Sequence, residues 1–125
     1  MKIYVFVLRR CAVLVGFAAT IVLAGCAGVS AEAPEHLAPA THSVYLSWNP
    51  STSPDISGYN VYRAVYTNSC GSFSRINSDL ALETLYTDSV VTSGASYCYT
   101  TTTVNAQKEE SGFSEILSNV QIPAE

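Results

Sequence analysis

Residues 43–50 read SVYLSWNP, and the alternation within them decides the fold. Val44, Leu46 and Trp48 stand at every second position, with serine or tyrosine between them. Because successive side chains of a β-strand point to opposite faces, this period places the three apolar side chains on one buried face. Pro50 then ends the run, since proline cannot donate a ladder hydrogen bond. The stretch predicts a core strand of a β-protein.

Similar short runs continue along the chain, separated by turn residues at intervals of about eight to twelve residues. They cover residues 58–63, 73–76, 84–88, 96–104 and 114–122. We expect Tyr59, Val61, Tyr86 and Tyr97 to point inward on these strands. No run requires a helix, and the pattern is typical of an antiparallel β-sandwich. The sequence therefore predicts an all-β fold.

The N-terminus has a different character from the rest of the chain. Lys2, Arg9 and Arg10 precede residues 11–23, a run of thirteen residues without charge. A helix that crosses a hydrocarbon core needs about 20 apolar residues, so this run is too short to span one. Basic residues followed by a short apolar run are typical of a signal peptide.

Residues 23–26 read LAGC, which resembles the bacterial lipobox at all four positions. The resemblance implies that the Cys26 thiol receives a diacylglycerol, that residues 1–25 are cleaved off, and that the freed amine of Cys26 is acylated, for example with palmitate. An ordinary secretory signal and an uncleaved anchor are the alternatives, and spacing and charge favour the lipobox. Ala27 follows the cysteine where such lipoproteins carry aspartate for inner-membrane retention, so the outer membrane is the expected location where two membranes exist.

The segment after the lipobox predicts a tether. Residues 26–41 comprise Cys26 and an Ala- and Pro-rich stretch that lacks both hydrophobic periods. Extended, fourteen residues at about 3.1 Å each span on the order of 40 Å. From Cys26 onward, three Lys and Arg face ten Asp and Glu, a net charge of −7. That charge argues against a nucleic-acid partner, because no basic stripe is present to neutralise phosphates.

Residues 42–123 resemble a single fibronectin type III domain. Residues 47–50 (SWNP) match the family's strand B with its core tryptophan, Trp48, and residues 58–63 (GYNVYR) match strand C. Residues 91–97 (VTSGASY) are similar to the tyrosine corner, in which the Tyr97 hydroxyl would bond the backbone upstream. An antibody-type domain would instead carry cysteine on strand B and tryptophan on strand C. The stretch before residue 42 has little strand pattern, so the family's first strand is expected to be short or absent.

Two cysteines remain in the predicted exported domain, Cys70 and Cys98. Extracytoplasmic compartments are oxidising, which favours a disulfide. In the fibronectin-like strand order, the end of strand C lies beside the start of strand F, and Cys98 alternates out of phase with the inward Tyr97. We therefore expect the two sulfurs to meet on the outer face. Two free thiols or a metal site are the alternatives, and metal is disfavoured by the lack of nearby histidines.

The sequence offers no catalytic constellation. Its two histidines, His36 and His42, fall in the predicted tether and at its end, away from any nucleophile. Glu109 and Glu110 follow Lys108 in a predicted loop, where a solvated charged turn is expected. We predict no enzyme activity, no metal site and no cofactor other than the acyl lipid on Cys26.

A candidate binding surface is predicted on the outer face of two neighbouring strands. Tyr62 and Tyr66, with Thr100 and Thr102, would form a polar and aromatic patch suited to a protein or a glycan. The plainer interpretation is that tyrosines on strands reflect β-propensity. The sequence thus predicts an exported cell-envelope lipoprotein, held to a membrane by its lipid, that presents a non-catalytic module for protein interaction or adhesion. The alternative is a carbohydrate-binding module at the cell surface.

Overall fold

The computed structural model describes residues 1–10 and 41–124, and the regular structure within them is entirely β-strand. The strands are β1 (Ile3–Arg10), β2 (Thr41–Trp48), β3 (Ile56–Val65), β4 (Ser74–Arg75), β5 (Leu85–Asp88), β6 (Ser96–Asn105) and β7 (Leu117–Gln121). The predicted runs coincide with β2 to β7 to within a few residues. Cys26, His36 and nearly all of the predicted tether lie outside the described residues.

The strands form two antiparallel sheets that pack face to face. One sheet has the order β1-β2-β5 and the other the order β4-β3-β6-β7. Both sheets contribute to one buried cluster, which contains Ile3, Val44, Leu46, Trp48, Tyr59, Val61, Tyr97, Tyr99, Val120 and Ile122. The alternation in the sequence therefore predicted the fold class correctly, since this is an all-β sandwich.

The inward face of β2 forms the centre of this core. Val44, Leu46 and Trp48 expose 0%, 2% and 3% of their surface. The ring of Trp48 meets the ring of Tyr59 from the opposite sheet edge to face, with centroids 5.4 Å apart. The Tyr59 hydroxyl accepts a hydrogen bond from the Ser51 amide at 3.2 Å. Tyr59 is thus an apolar filler whose polar end is satisfied at the rim of the core.

Strands β3 and β6 are antiparallel neighbours, as the resemblance implied for strands C and F. The pairing runs antiparallel and places Ala64 opposite Cys98. The sulfurs of Cys70 and Cys98 are bonded, with Cα atoms 5.9 Å apart, which confirms the predicted disulfide. It links the turn after β3 to the first part of β6. Val61 lies in the middle of β3 and is fully buried, as predicted.

The turn before β6 is held by the tyrosine that the sequence singled out. The Tyr97 hydroxyl accepts a hydrogen bond from the Thr92 amide, five residues upstream, at 3.2 Å. Gly94 lies between them with φ at +74°, a conformation that favours glycine. Tyr86 is half-buried, as expected of an inward residue at a sheet edge, and its hydroxyl donates to the carbonyl of Ile76 at 2.9 Å.

Strand β1 comes from the segment that the sequence predicts to be cleaved off. It pairs with β2 over eight residues, from Ile3 opposite Trp48 to Arg10 opposite Thr41. The sequence predicts a short or absent strand before residue 42, whereas the structure has an eight-residue strand there, formed by the N-terminal residues. Its alternation explains the fit, because Ile3 faces the core whereas Phe6 is 71% exposed. Removal of residues 1–25 is a matter of processing and stays a prediction.

Candidate functional site

The predicted binding patch lies on the outer face of the four-stranded sheet. Tyr62 on β3 stands directly opposite Thr100 on β6, and Asn60 stands opposite Thr102. The four side chains therefore share one face, as the strand period requires. Tyr66 lies just beyond the end of β3, in a bridge with Cys70 next to the disulfide.

The structure corrects the prediction for the two threonines, which are not part of a surface. Thr100 and Thr102 expose only 0% and 2% of their surface. The cause is the segment between β6 and β7, which folds back over the outer face of the sheet. The Thr100 hydroxyl donates to the carbonyl of Ser114 at 3.2 Å, and the Thr102 hydroxyl donates to the carboxylate of Glu110. Strand β6 is consequently buried on both faces.

The same folding back builds an aromatic cluster that sequence reasoning missed. The ring of Phe113 lies 5.1 Å from the ring of Tyr62 and 5.4 Å from the ring of Phe73, centroid to centroid. Phe113 is 52% exposed. We call Tyr62, Phe73, Phe113 and Glu110 the outer-face cluster. No local sequence pattern predicts this cluster, because its members come from three separate places: β3, the segment before β4 and the segment before β7.

Glu110 is the charged member of the outer-face cluster. The Tyr62 hydroxyl donates to Glu110 Oε1 at 2.6 Å. Burial alone would raise the pKa of the Glu110 carboxyl, but hydrogen bonds from Thr102, Tyr62 and Asn60 outweigh it, so the pKa lies below its ordinary value. The positive charge of Arg75 acts in the same direction. A fixed carboxylate thus stands beside an exposed ring, where the sequence predicted only a solvated turn.

A second polar cluster joins the two sheets at one end of the sandwich. Arg63 Nη1 on β3 donates to both carboxylate oxygens of Asp88 on β5, at 3.1 and 2.8 Å. The Tyr99 hydroxyl donates to Asp88 Oδ2 at 2.9 Å. The guanidinium carbon of Arg63 also lies 5.0 Å from the centroid of the Tyr97 ring, a cation–π arrangement. Arg63 stands four residues after Tyr59 on β3, so the two side chains share the inward face. This spacing could have indicated from the sequence that Arg63 points inward and needs a negatively charged partner.

Burial and the Asp88 carboxylate together set the pKa values of Tyr99 and Arg63 in this inter-sheet cluster. Burial, the charge of Asp88 and the hydrogen bond to it all raise the pKa of Tyr99 far above its ordinary value. Burial would lower the pKa of Arg63, but the hydrogen bond and charge of Asp88 together raise it. The cluster is therefore one positive and one negative charge with a neutral phenol, in which each group satisfies the others. Such an arrangement holds the two sheets together at this end of the sandwich.

The structure also corrects the expectation for His42. This residue lies within β2 and is 3% exposed, so it does not belong to the tether. Its Nδ1 lies 3.3 Å from the hydroxyl of Ser93, the position between Val91 and Gly94 in the turn before β6. The histidine Nε2 is buried and has no hydrogen-bond partner among the described residues. In the serine-hydrolase triad the carboxylate bonds Nδ1 and the nucleophile faces Nε2, whereas here the Ser93 hydroxyl lies at Nδ1.

Two further features concern residues 1–10 and 41–124, the part of the chain that the structure describes. Within them, His, Cys, Asp and Glu side chains form no group of three that is suited to hold a metal ion. In the same part of the chain, no helix has the length and apolarity needed to cross a membrane.

The chain was compared with known protein families and with curated proteins. No family model matches it, and no curated protein matches it. The fold and the two clusters are accordingly the basis on which a function is inferred.

Proposed function

We propose that this protein is a lipid-anchored envelope protein, which presents a non-catalytic module of the fibronectin type III kind and binds a partner protein through the outer-face cluster. Cys26 carries the lipid, and residues 27–40 link it to the module, whose strand β2 begins at Thr41. The observation that carries the binding role is the exposed ring of Phe113, held between Tyr62 and Phe73. Aromatic side chains set in a supported cluster are the residues that most often dominate protein interfaces.

The sheet arrangement supports the family assignment. The strand that bears Trp48 pairs within the three-stranded sheet, while the strands predicted as C and F, β3 and β6, are neighbours in the other sheet. The Tyr97 hydroxyl bonds the backbone five residues upstream, as expected for a tyrosine corner. Strand β2 carries the core tryptophan and has no cysteine, unlike its counterpart in antibody-type domains.

Export is supported by the disulfide together with the lipobox. Disulfides persist in extracytoplasmic compartments and are rare in the reducing cytosol. The Cys70–Cys98 bond and the LAGC motif ending at Cys26 thus point to the same side of the membrane. Two or more acyl chains give stable attachment, whereas a single chain binds only marginally.

The anchor is tested by acyl labelling in a bacterial host. The wild-type chain is expected to incorporate labelled palmitate and to lose residues 1–25, as measured by mass spectrometry. Cys26→Ala should abolish both the labelling and the cleavage at this site. Cys11→Ala is the matched control, because it removes a thiol from the same N-terminal segment and should leave the label intact. Labelled Cys26→Ala protein would rule out the anchor.

The binding role is tested by cross-linking in intact cells, followed by quantification of envelope proteins that co-purify. Phe113→Ala should reduce recovery of the partner by about tenfold or more, the range expected for a central interface residue. Leu82→Ala is the control, since Leu82 is 80% exposed and lies outside the cluster. Equal recovery with both variants would remove the outer-face cluster as the binding site.

A glycan is the second candidate partner, and the position of Glu110 favours it. The carboxylate accepts from the Tyr62 hydroxyl, and the Tyr62 ring contacts the exposed Phe113 ring, so a sugar could stack on Phe113 while its hydroxyls donate to Glu110. Migration through gels that contain a soluble polysaccharide tests this. Retardation that is lost in both Phe113→Ala and Glu110→Gln would favour a glycan over a protein. Unretarded migration on every polysaccharide tried would favour the protein.

A further inference from the structure

Strand β1 completes the three-stranded sheet through both its backbone and its side chains. Its register against β2 is continuous over eight residue pairs. Beyond the paired residues, the Asn49 amide donates to the Lys2 carbonyl at 3.2 Å. β2 is therefore an inner strand, with β5 on one side and β1 on the other.

The side chains of β1 show what chemistry this edge accepts. Ile3 is 9% exposed and belongs to the core, and Val5 and Val7 pack against that core. These three residues stand opposite the inward residues of β2, namely Trp48, Leu46 and Val44. The residues between them face outward, and Tyr4, Phe6 and Leu8 are each more than half exposed. The edge thus selects an extended segment with apolar side chains at every second position.

Cleavage before Cys26 would take this strand away. The mature chain would then present the β2 edge with unpaired amides and carbonyls, and with a channel where Ile3, Val5 and Val7 had packed. An unpaired strand edge is a template for another strand. Residues 33–40, just before β2, replace it poorly, because Pro34 and Pro39 lack the amide hydrogen that a ladder needs.

We propose that the mature protein binds an extended segment of a partner protein along the β2 edge. The segment runs antiparallel to β2 and places apolar side chains in the channel left by Ile3, Val5 and Val7. This inference rests on the proposed cleavage at Cys26. A second copy of the chain could pair its own β2 edge, but it would leave the channel empty, because its Val44, Leu46 and Trp48 side chains are buried in its own core. The occupant is accordingly a strand from a different protein.

The test uses the mature lipoprotein, purified in detergent from the membranes of cells that express the full chain. Its mass first establishes whether residues 1–25 are gone. The probe is a synthetic peptide of residues 1–10, MKIYVFVLRR. The controls are a scrambled peptide of the same composition, which keeps the hydrophobicity but not the alternation, and a Val5→Pro peptide, which interrupts the ladder. Binding is measured by the change in Tm and by peptide fluorescence anisotropy.

The expected result is binding of one peptide per chain and a rise in Tm of about 10 °C at a peptide concentration about 100-fold above Kd. The two control peptides should produce no such rise. An equal rise with the scrambled peptide, or no rise with any peptide, would overturn the inference. The mature chain could also prove to be unfolded when measured by circular dichroism. In that case, failure of the peptide to restore the structure would overturn the inference, and restored structure would support it.

The failure of this inference can be told apart from the failure of the anchor. If the processed chain does not bind the peptide, the lipid anchor is unaffected and only the proposal of an open β2 edge is refuted. This result is expected if the tether itself pairs with the β2 edge. A chain that retains residues 1–25 refutes both, because β1 then occupies the edge within the same molecule.

Discussion

Arg63 and Asp88 bridge the two sheets of the sandwich, with Arg63 Nη1 at 2.8 Å from Asp88 Oδ2. Asp88 is 4% exposed, so its carboxylate depends for compensation on this partner, on the Tyr99 hydroxyl and on the Val90 amide, which donates to Oδ1 at 3.1 Å. We predict that Arg63→Leu destabilises the domain by about 3 kcal/mol or more, because removing one partner leaves a buried charge unpaired. Urea denaturation followed by tryptophan fluorescence measures the loss.

The control for this prediction is a variant that removes both charges. Arg63→Leu combined with Asp88→Asn should recover part of the loss, since no unpaired charge then remains in the core. Glu115→Gln, an exposed charge change, should alter the free energy of unfolding by less than about 0.5 kcal/mol. An Arg63→Leu effect as small as that of Glu115→Gln would show that the bridge contributes nothing to stability.

The Cys70–Cys98 disulfide gives the second prediction. The two cysteines are 28 positions apart in the sequence. In the chain-entropy account, closing a loop of that length stabilises the folded state by about 3 to 4 kcal/mol. The double variant Cys70→Ser with Cys98→Ala is expected to lose that amount in the oxidised state. Under reducing conditions, wild type and variant should unfold at similar urea concentrations, and a persistent large gap there would assign the loss to packing at Cys98.

Local alternation explains how much of this molecule was predictable. Val44, Leu46 and Trp48 announce β2 because strand periodicity is a property of neighbouring residues. The disulfide followed from the relation between two strands whose order the resemblance supplied. In contrast, the burial of Thr100 depends on Ser114, which reaches it only after the segment between β6 and β7 has folded back. Contacts of that kind are set by tertiary packing and leave no period in the sequence.

Two further features of the structure were not expected from the sequence, for a different physical reason. His42 was assigned to the end of the tether because its neighbours on one side are polar or small, whereas the structure extends β2 to Thr41. The N-terminal residues 1–10 carry both a basic, apolar signal pattern and a strand pattern. Composition favoured the signal pattern, whereas the burial of Ile3 in the core agrees with the strand pattern.

Tyrosine ionisation supplies the third prediction. Burial raises the pKa of Tyr99, of Tyr86 and of Tyr62 above the ordinary value of 10.0. A phenol whose folded pKa is raised stabilises the protein fully below the unfolded pKa, and this contribution is lost as pH rises through the folded pKa. We therefore expect the free energy of unfolding to fall above a pH of about 10. The free energy of unfolding of Tyr99→Phe should fall less steeply over that range. Its value at neutral pH should be lower than that of the wild type, because the hydrogen bond to Asp88 is lost.

Near-ultraviolet absorbance of tyrosinate checks the assignment. The tyrosinate absorbance of the native protein should keep rising at a pH above that at which the same protein in urea has completed its change, because Tyr99, Tyr86 and Tyr62 ionise late. Parallel slopes for wild type and Tyr99→Phe above pH 10 would contradict the role given to Tyr99.

The last prediction concerns Gly58, at the register shift near the start of β3. A Cβ at this position would lie 2.9 Å from the carbonyl oxygen of Ala81 and 2.9 Å from the Cβ of Leu80. The Ala81 carbonyl also accepts the Tyr59 amide at 2.9 Å, so it cannot move away without weakening that bond. Gly58→Ala is thus expected to lower the free energy of unfolding by about 1 to 3 kcal/mol through overpacking.

Gly112→Ala is the matched control, because a Cβ there meets no atom within 4 Å. It should leave the free energy of unfolding unchanged or raise it by up to about 1 kcal/mol, because alanine lowers the conformational entropy of the unfolded chain. If both alanines had the same effect on Tm, close approach of the backbone at Gly58 would not be what selects glycine.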